Sequence, residues 1–237
     1  MSHLTLPMLF GASIIDSLYK INGFKVVATH IPYFLEGAVL TLEITVLSVF
    51  FGMILGLIAG LFKISNSKIL SGIASAYIDF FRGTPLFVQI LLLYFGVLPL
   101  IMKTDNPFIP AVIACALNSG AYIAEIVRAG IQAVDKGQME AARSLGMNNR
   151  QAMTYVILPQ AYKIVIPPLL NEFIAVLKDT SLVAVISAEE LTLRGKLLYS
   201  TYFEAAWIWG TVALIYFIMT KLLALLGDYI ERRLATE

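Results

Sequence analysis

Residues 140–159, EAARSLGMNNRQAMTYVILP, form the one long stretch of this chain that is too polar to cross a bilayer. On both sides of it the sequence suits lipid: 59% of residues are hydrophobic, 14% are charged and the mean hydropathy is +0.81. Too few polar side chains remain to cover a water-soluble globule of 237 residues. The balance predicts an integral membrane protein with a water-exposed insert.

A helix needs roughly 20 apolar residues to cross the hydrocarbon core. About five runs qualify by that measure: residues 33–62, 86–102, 110–134, 164–186 and 205–226. Helices are the only spanning elements with continuous apolar runs of this length. The expected fold is therefore an all-α polytopic bundle, with residues 1–31 an amphipathic lead-in and 32–237 the membrane domain. The lead-in has no basic start and no clear small-residue cleavage site, so it does not read as a removed signal.

Lys63, Lys68, Lys136, Arg143, Arg150, Arg232 and Arg233 gather on one side of these spans. Lys103, Arg194 and Lys196 fall on the other, and Lys20 and Lys25 sit in the N-terminal segment. The positive-inside rule places loop 135–160 and the C-terminus in the cytoplasm and the N-terminus outside the cell's inner (cytoplasmic) membrane. Cys115 is the single cysteine, which excludes an intrachain disulfide and argues against a cysteine metal site. His3 and His30 both precede the first span, so no metal or catalytic cluster is expected.

Three features interrupt the apolar runs. Gly52, Gly56 and Gly60 lie at spacings of four and form a stripe where another backbone can approach closely, from this chain or from a second subunit. Arg82-Gly83-Thr84-Pro85 breaks a run too long for one crossing, because Pro85 lacks an N–H and disfavours helix at Thr84. That turn is either an interfacial elbow or the lining of a wet path. The third is the polar insert, where Asp135 and Gln138 have the spacing of a helix cap and its partner, and Gly146 suits a left-handed helix stop. Asn148 with Gln151 repeats the cap for a second short helix, which Pro159 is expected to end. Two short capped helices make a compact knob pinned at both ends.

Polar groups inside spans are costly unless they face protein or water. Asn118, Tyr122 and Glu125 share one face of the third span, with Ser119 and Gly120 beside it and Arg128 a turn further on. Lys178, Asp179, Thr180 and Ser181 are consecutive in the fourth, so a break or a wet cavity is expected there. Glu125 with Arg128, and Lys178 with Asp179, read either as internal ion pairs or as ligands for a cargo.

Glu140-Ala141-Ala142, Gly146 and Leu158-Pro159 match the signature loop of importer permeases of the ATP-binding-cassette class, with Val156 where isoleucine is usual. Arg82-Gly83-Thr84-Pro85-Leu86, Asn118-Ser119-Gly120-Ala121-Tyr122, the segment from Glu125 to Ile131, and Lys178-Asp179-Thr180-Ser181-Leu182 resemble the polar amino-acid permeases, the histidine/glutamine/arginine group. The likeness runs from about Tyr33 to the C-terminus. It implies a transport subunit without enzymatic activity or cofactor, paired with a second copy or close paralogue and seated on a cytoplasmic ATPase dimer. No phosphate-binding loop of the G-x-x-x-x-G-K-[ST] form is present in the sequence. An extracytoplasmic solute-binding protein would deliver the amino acid, and Glu140, Ala141, Ala142 and Gly146 would form the coupling element.

A buried zwitterion needs an acceptor for its ammonium and donors for its carboxylate. The candidate substrate-binding residues are Glu36, Glu43, Thr84, Asn118, Ser119, Tyr122, Glu125, Lys178, Asp179 and Ser181, with Arg82 and Thr180 as further donors. Glu36, Glu43, Glu189 and Glu190 outnumber Arg194 and Lys196 at the outer mouth. A negative path favours a cationic amino acid such as arginine, lysine or histidine. No nucleic-acid partner is expected.

Overall fold

The computed structural model describes residues 6–101 and 106–235, with side chains from residue 22 to 233. Every regular element among them is helical. Helix α1 (Leu6–Lys63) crosses the expected boundary at residue 31 without a break. The cap of α2 (Lys68–Gly83) is Ser67, whose hydroxyl accepts from Leu70 N. Thr84 and Pro85 then adopt extended backbone, and the chain turns by 108° into α3 (Leu86–Leu91), a π-helical stretch (Leu92–Val97) and α4 (Leu98–Ile101). The sharp break at Pro85 is the one its missing N–H requires. Lys103, which entered the orientation argument, and Met102 lie outside the described residues.

Helix α5 (Phe108–Gln132) is the central rod of the bundle. It packs along α1, and both helices run in the same sense: the Ser48 hydroxyl donates to Val112 O at 3.3 Å near one end and Lys63 approaches Glu125 near the other. The glycine stripe lies in this seam. A Cβ on Gly56 would sit 2.6 Å from Ile123 and 2.8 Å from Gly120 O, and one on Gly60 would sit 2.8 Å from Ala124 O. The stripe therefore serves packing within the chain. Gly56→Leu is expected to force α1 off α5 and destabilise the fold by about 1–3 kcal/mol, the usual cost of overpacking. A lowered melting midpoint in detergent checks this.

The polar insert holds α6 (Lys136–Ser144) and α7 (Asn149–Ala152). A π-helical turn (Met153–Ile157) leads directly into α8 (Leu158–Asp179). Pro159 thus stands in the first turn of α8 and does not end the second short helix. A missing N–H is tolerated at a helix start, and the wider π turn before it absorbs the register change.

Beyond Asp179 the chain tightens into a 3₁₀ stretch (Thr180–Ile186) within the expected fourth span, where four successive polar residues predict a break. Helix α9 (Leu191–Tyr202) and the long α10 (Ala205–Ala235) complete the chain. Among the described residues three helices are long and apolar enough to cross a membrane, and the bent α2–α4 unit passes as a fourth. Helix α8 carries Lys163, Glu172, Lys178 and Asp179, which lower its apolar character.

Candidate functional site

The sequence-predicted residues fall at three levels along the α1–α5 seam. At the Glu36 end, Arg194 of α9 donates to Glu36 Oε2 at 2.6 Å and to Tyr33 O at 3.0 Å, and lies over the Tyr33 ring at 4.4 Å. Its side chain is 14% exposed while that of Glu36 is 67% exposed, so the carboxylate still faces outward. Glu43 lines a cavity of about 520 Å³ with Asn106, Ser187, Glu189 and Arg194.

Glu190 does not join this mouth. It is fully buried as the cap of α9, accepting from Thr192 N, Leu193 N and the Tyr216 hydroxyl at 2.8–2.9 Å. Burial pushes its carboxyl above the ordinary range, against the lowering effect of those bonds. A capping carboxylate must point back at the helix start, which takes Glu190 out of the path.

At the middle level, Asn118 and Thr84 hold the elbow. Asn118 Nδ2 donates to Gln89 Oε1 at 2.9 Å and to Phe81 O at 3.3 Å. Gln89 Nε2 in turn reaches Phe81 O, Thr84 O and Thr84 Oγ1 at 2.8–2.9 Å. Sequence reasoning passed over Gln89. The available signal was an amide four residues beyond a proline break, where the freed carbonyls require a donor.

Ser119 is buried and its hydroxyl has no hydrogen-bond partner. The half-buried Glu172 of α8 stands beside that hydroxyl without completing a hydrogen bond to it, and Asp179 is a charged neighbour of Glu172. Glu172 was also missed, although a lone carboxylate between apolar turns of a span is itself a signal. Lys178 and Asp179 are exposed at the change of helical pitch and Ser181 is half-buried just beyond it, while Thr180 turns inward to Leu177 O at 2.7 Å. No ion pair joins Lys178 to Asp179 among the described residues, and Glu172 lies two turns before them on the same helix.

At the Lys63 end, Glu125 gathers cations from three helices. Arg128, on the same helix, binds it in fork fashion at 2.7–3.1 Å. Lys63 of α1 lies at 3.5 Å and Arg82 of α2 at 3.6 Å. Arg82 also lies over the ring of the exposed Tyr122 at 5.4 Å. The ion-pair reading of Glu125 with Arg128 is thus present in the structure.

The polar insert is built from its caps. Asp135 accepts from Gly137 N at 2.7 Å, and the Asn148–Gln151 capping box is complete, with both bonds at 2.9 Å. Gly146 has φ +88°, the left-handed stop that only glycine adopts freely. Gln138 bonds with Gln160 at 3.3 Å, tying α6 to the start of α8. Ala142 is buried beneath the knob while Glu140 and Ala141 are exposed, and Leu145 and Tyr155 expose 83% and 72% of their surface. Among the described residues no three His, Cys, Asp or Glu side chains gather as a metal site would require.

The sequence pattern of the family described as binding-protein-dependent transport system inner membrane component matches residues 52–236. An arginine transport system permease protein of Bacillus subtilis (strain 168) is 40% identical, over 89% of this chain and 96% of its own. A glutamine transport system permease protein of Escherichia coli (strain K12) is also 40% identical, over 86% of this chain and 94% of its own. The crystal structure of an amino acid ABC transporter with histidines superimposes with a TM-score of 0.83 at 45% identity, covering 87% of this chain and 96% of that one.

Proposed function

The chain belongs to the family of binding-protein-dependent transport system inner membrane components, and we propose that it translocates a cationic amino acid by alternating access. It is the membrane-embedded permease subunit of an ABC amino-acid importer. The observation that carries the substrate class is the middle level of the seam. There the Glu172 carboxyl stands beside the Ser119 hydroxyl and near Asp179, whose chain neighbour Lys178 brings an ammonium.

An amino acid entering this level finds a carboxylate for its α-ammonium, the Lys178 ammonium with Ser119 and Ser181 for its α-carboxylate, and a second carboxylate for a basic side chain. Glu36, Glu43 and Glu189 give the mouth a negative field that raises the local concentration of a cation. Thr84 and Asn118 shape the wall by fixing the elbow. The relatives named above include a glutamine system, so the sign of the side chain is the point to test. Uptake into proteoliposomes holding the whole transporter is expected to be competed by arginine, lysine or histidine well below the glutamine concentration needed. Glutamine outcompeting arginine would remove the cationic reading.

In this reading the 135–160 insert and the C-terminus are cytoplasmic, and the Glu36 end and N-terminus face outside. Two ATPase subunits engage the inserts of a pair of permeases, either two copies of this chain or this chain with a close paralogue. A solute-binding protein releases cargo at the Glu43 cavity. The exposed Leu145 and Tyr155 are the apolar anchors for the ATPase. Double substitution Leu145→Ser/Tyr155→Ser is expected to lower ATPase co-purification about tenfold or more, as for central apolar interface residues. Intact recovery of the complex would speak against that face.

A further inference from the structure

The three cations at Glu125 are not equivalent. Arg128 sits on the same helix one turn away, at 2.7 Å, and also holds Gln132 at 2.6 Å. Lys63 and Arg82 come from other helices and stand off at 3.5 and 3.6 Å. A mostly buried carboxylate is costly to strand without a partner. Arg128 travels with Glu125 wherever α5 goes, so the two longer contacts can break without leaving the carboxylate unpaired. Lys63 has Asp79 at 3.7 Å as a second partner, and the Arg82 side chain is 41% exposed and regains water on release.

Arg82 also has a special place in the chain. It lies two residues before Thr84, where the 108° elbow begins. Asn118 of α5 donates to both arms of that elbow, to Phe81 O of α2 and to Gln89 Oε1 of α3, so the elbow sits against α5 with Arg82 at its edge. Helix α5 runs from Glu125 to Gln132 and then, through Ala133 and Val134, into the Asp135 cap of the insert. A displacement of the insert is therefore delivered to Glu125 two turns up the same rod.

We propose that Glu125 and Arg82 form a releasable latch that positions the α2–α3 elbow against α5 and passes motion of the insert to the translocation path. Both are positioning residues: Glu125 acts through Arg82, and Arg82 through the Thr84–Pro85 hinge. The latch is engaged in the conformation seen here and open in the alternative one. It rests on the transport reading only for the meaning of the motion, and wild-type uptake tests that reading separately.

The experiment uses the complete transporter in proteoliposomes, comparing Arg82→Gln and Arg82→Lys with wild type. The Arg82 contact to Glu125 is long at 3.6 Å and the Arg82 side chain is 41% exposed, so its loss has a modest effect. Arg82→Gln is accordingly expected to lower solute transported per ATP hydrolysed by about threefold, with an unchanged melting midpoint, while Arg82→Lys restores most of the ratio. A second measurement avoids dependence on those variants. In an Arg82→Cys/Glu125→Cys pair, trapping by a short bifunctional thiol reagent is expected to differ severalfold between the nucleotide-free and vanadate-trapped transporter. The wild type, with only the buried Cys115, is the control. A state-independent trapping rate, an unaltered coupling ratio in Arg82→Gln, or equal defects in the glutamine and lysine variants would each overturn the latch.

Discussion

ATP hydrolysis without uptake is the expected phenotype of Gly146→Trp. At φ +88° a residue with a Cβ carries strain of about 1–2 kcal/mol. No atom lies within 4 Å of the position a Cβ would take, so any residue with a Cβ meets backbone strain there without a Cβ clash. The insert relieves the strain by moving Gly146 out of the left-handed region, which lets α6 run on and breaks the Met147 N to Ala142 O bond of 3.2 Å. Leu145 then turns away from its present direction while Asn148 loses the spacing that starts α7. A knob that no longer fits its groove transmits no force, however sound the spans remain. Uptake is expected to fall by about tenfold or more, with solute-stimulated hydrolysis lost and solute binding retained. Gly146→Asn should be milder, because asparagine tolerates the left-handed region. Parallel measurement of uptake, ATPase rate and binding in one preparation checks the result, and unchanged uptake in Gly146→Trp would remove the lever.

Glu172→Ala carries the second large effect. Removing one member of a desolvated charge pair costs about 2–5 kcal/mol, because the cargo's cation is left without its counter-charge. That corresponds to a loss in affinity of about 30-fold to 1,000-fold or more for a cationic amino acid. Glu172→Gln keeps the shape and tests the charge alone: it should spare neutral solutes relative to arginine. Ser119→Ala provides the graded comparison, since deleting one neutral hydroxyl costs about 1 kcal/mol. Equilibrium binding of labelled arginine and glutamine to the purified transporter checks both. Equal loss for the two solutes would show that Glu172 shapes the cavity without reading charge.

The main signals in the sequence were local ones. Pro85 dictated the break because its chemistry forbids helix at that point. Gly146 and the Asn148–Gln151 pair wrote the stop and the restart of the insert, since caps act within four residues. Gln89 and Glu172 were passed over for a shared reason. Each is a single polar residue within an apolar run, and its meaning depends on what faces it from another helix. Pro159 misled because the π turn that accommodates it has no sequence signature of its own. Glu190 misled because an acidic pair at a helix start offers one carboxylate to the cap and one to solvent, and adjacent sequence does not say which.

Composition and periodicity alone determined that this chain lives in lipid as helices with one capped polar insert, because apolar length, backbone chemistry and caps are properties of consecutive residues. The tertiary structure alone decided which helices meet. It laid the glycine stripe along α5, gave Glu125 its cations from three helices, and brought Glu172 to Ser119. Such pairings join residues from separate helices, and their energies depend on distance and burial that the linear order of side chains does not specify.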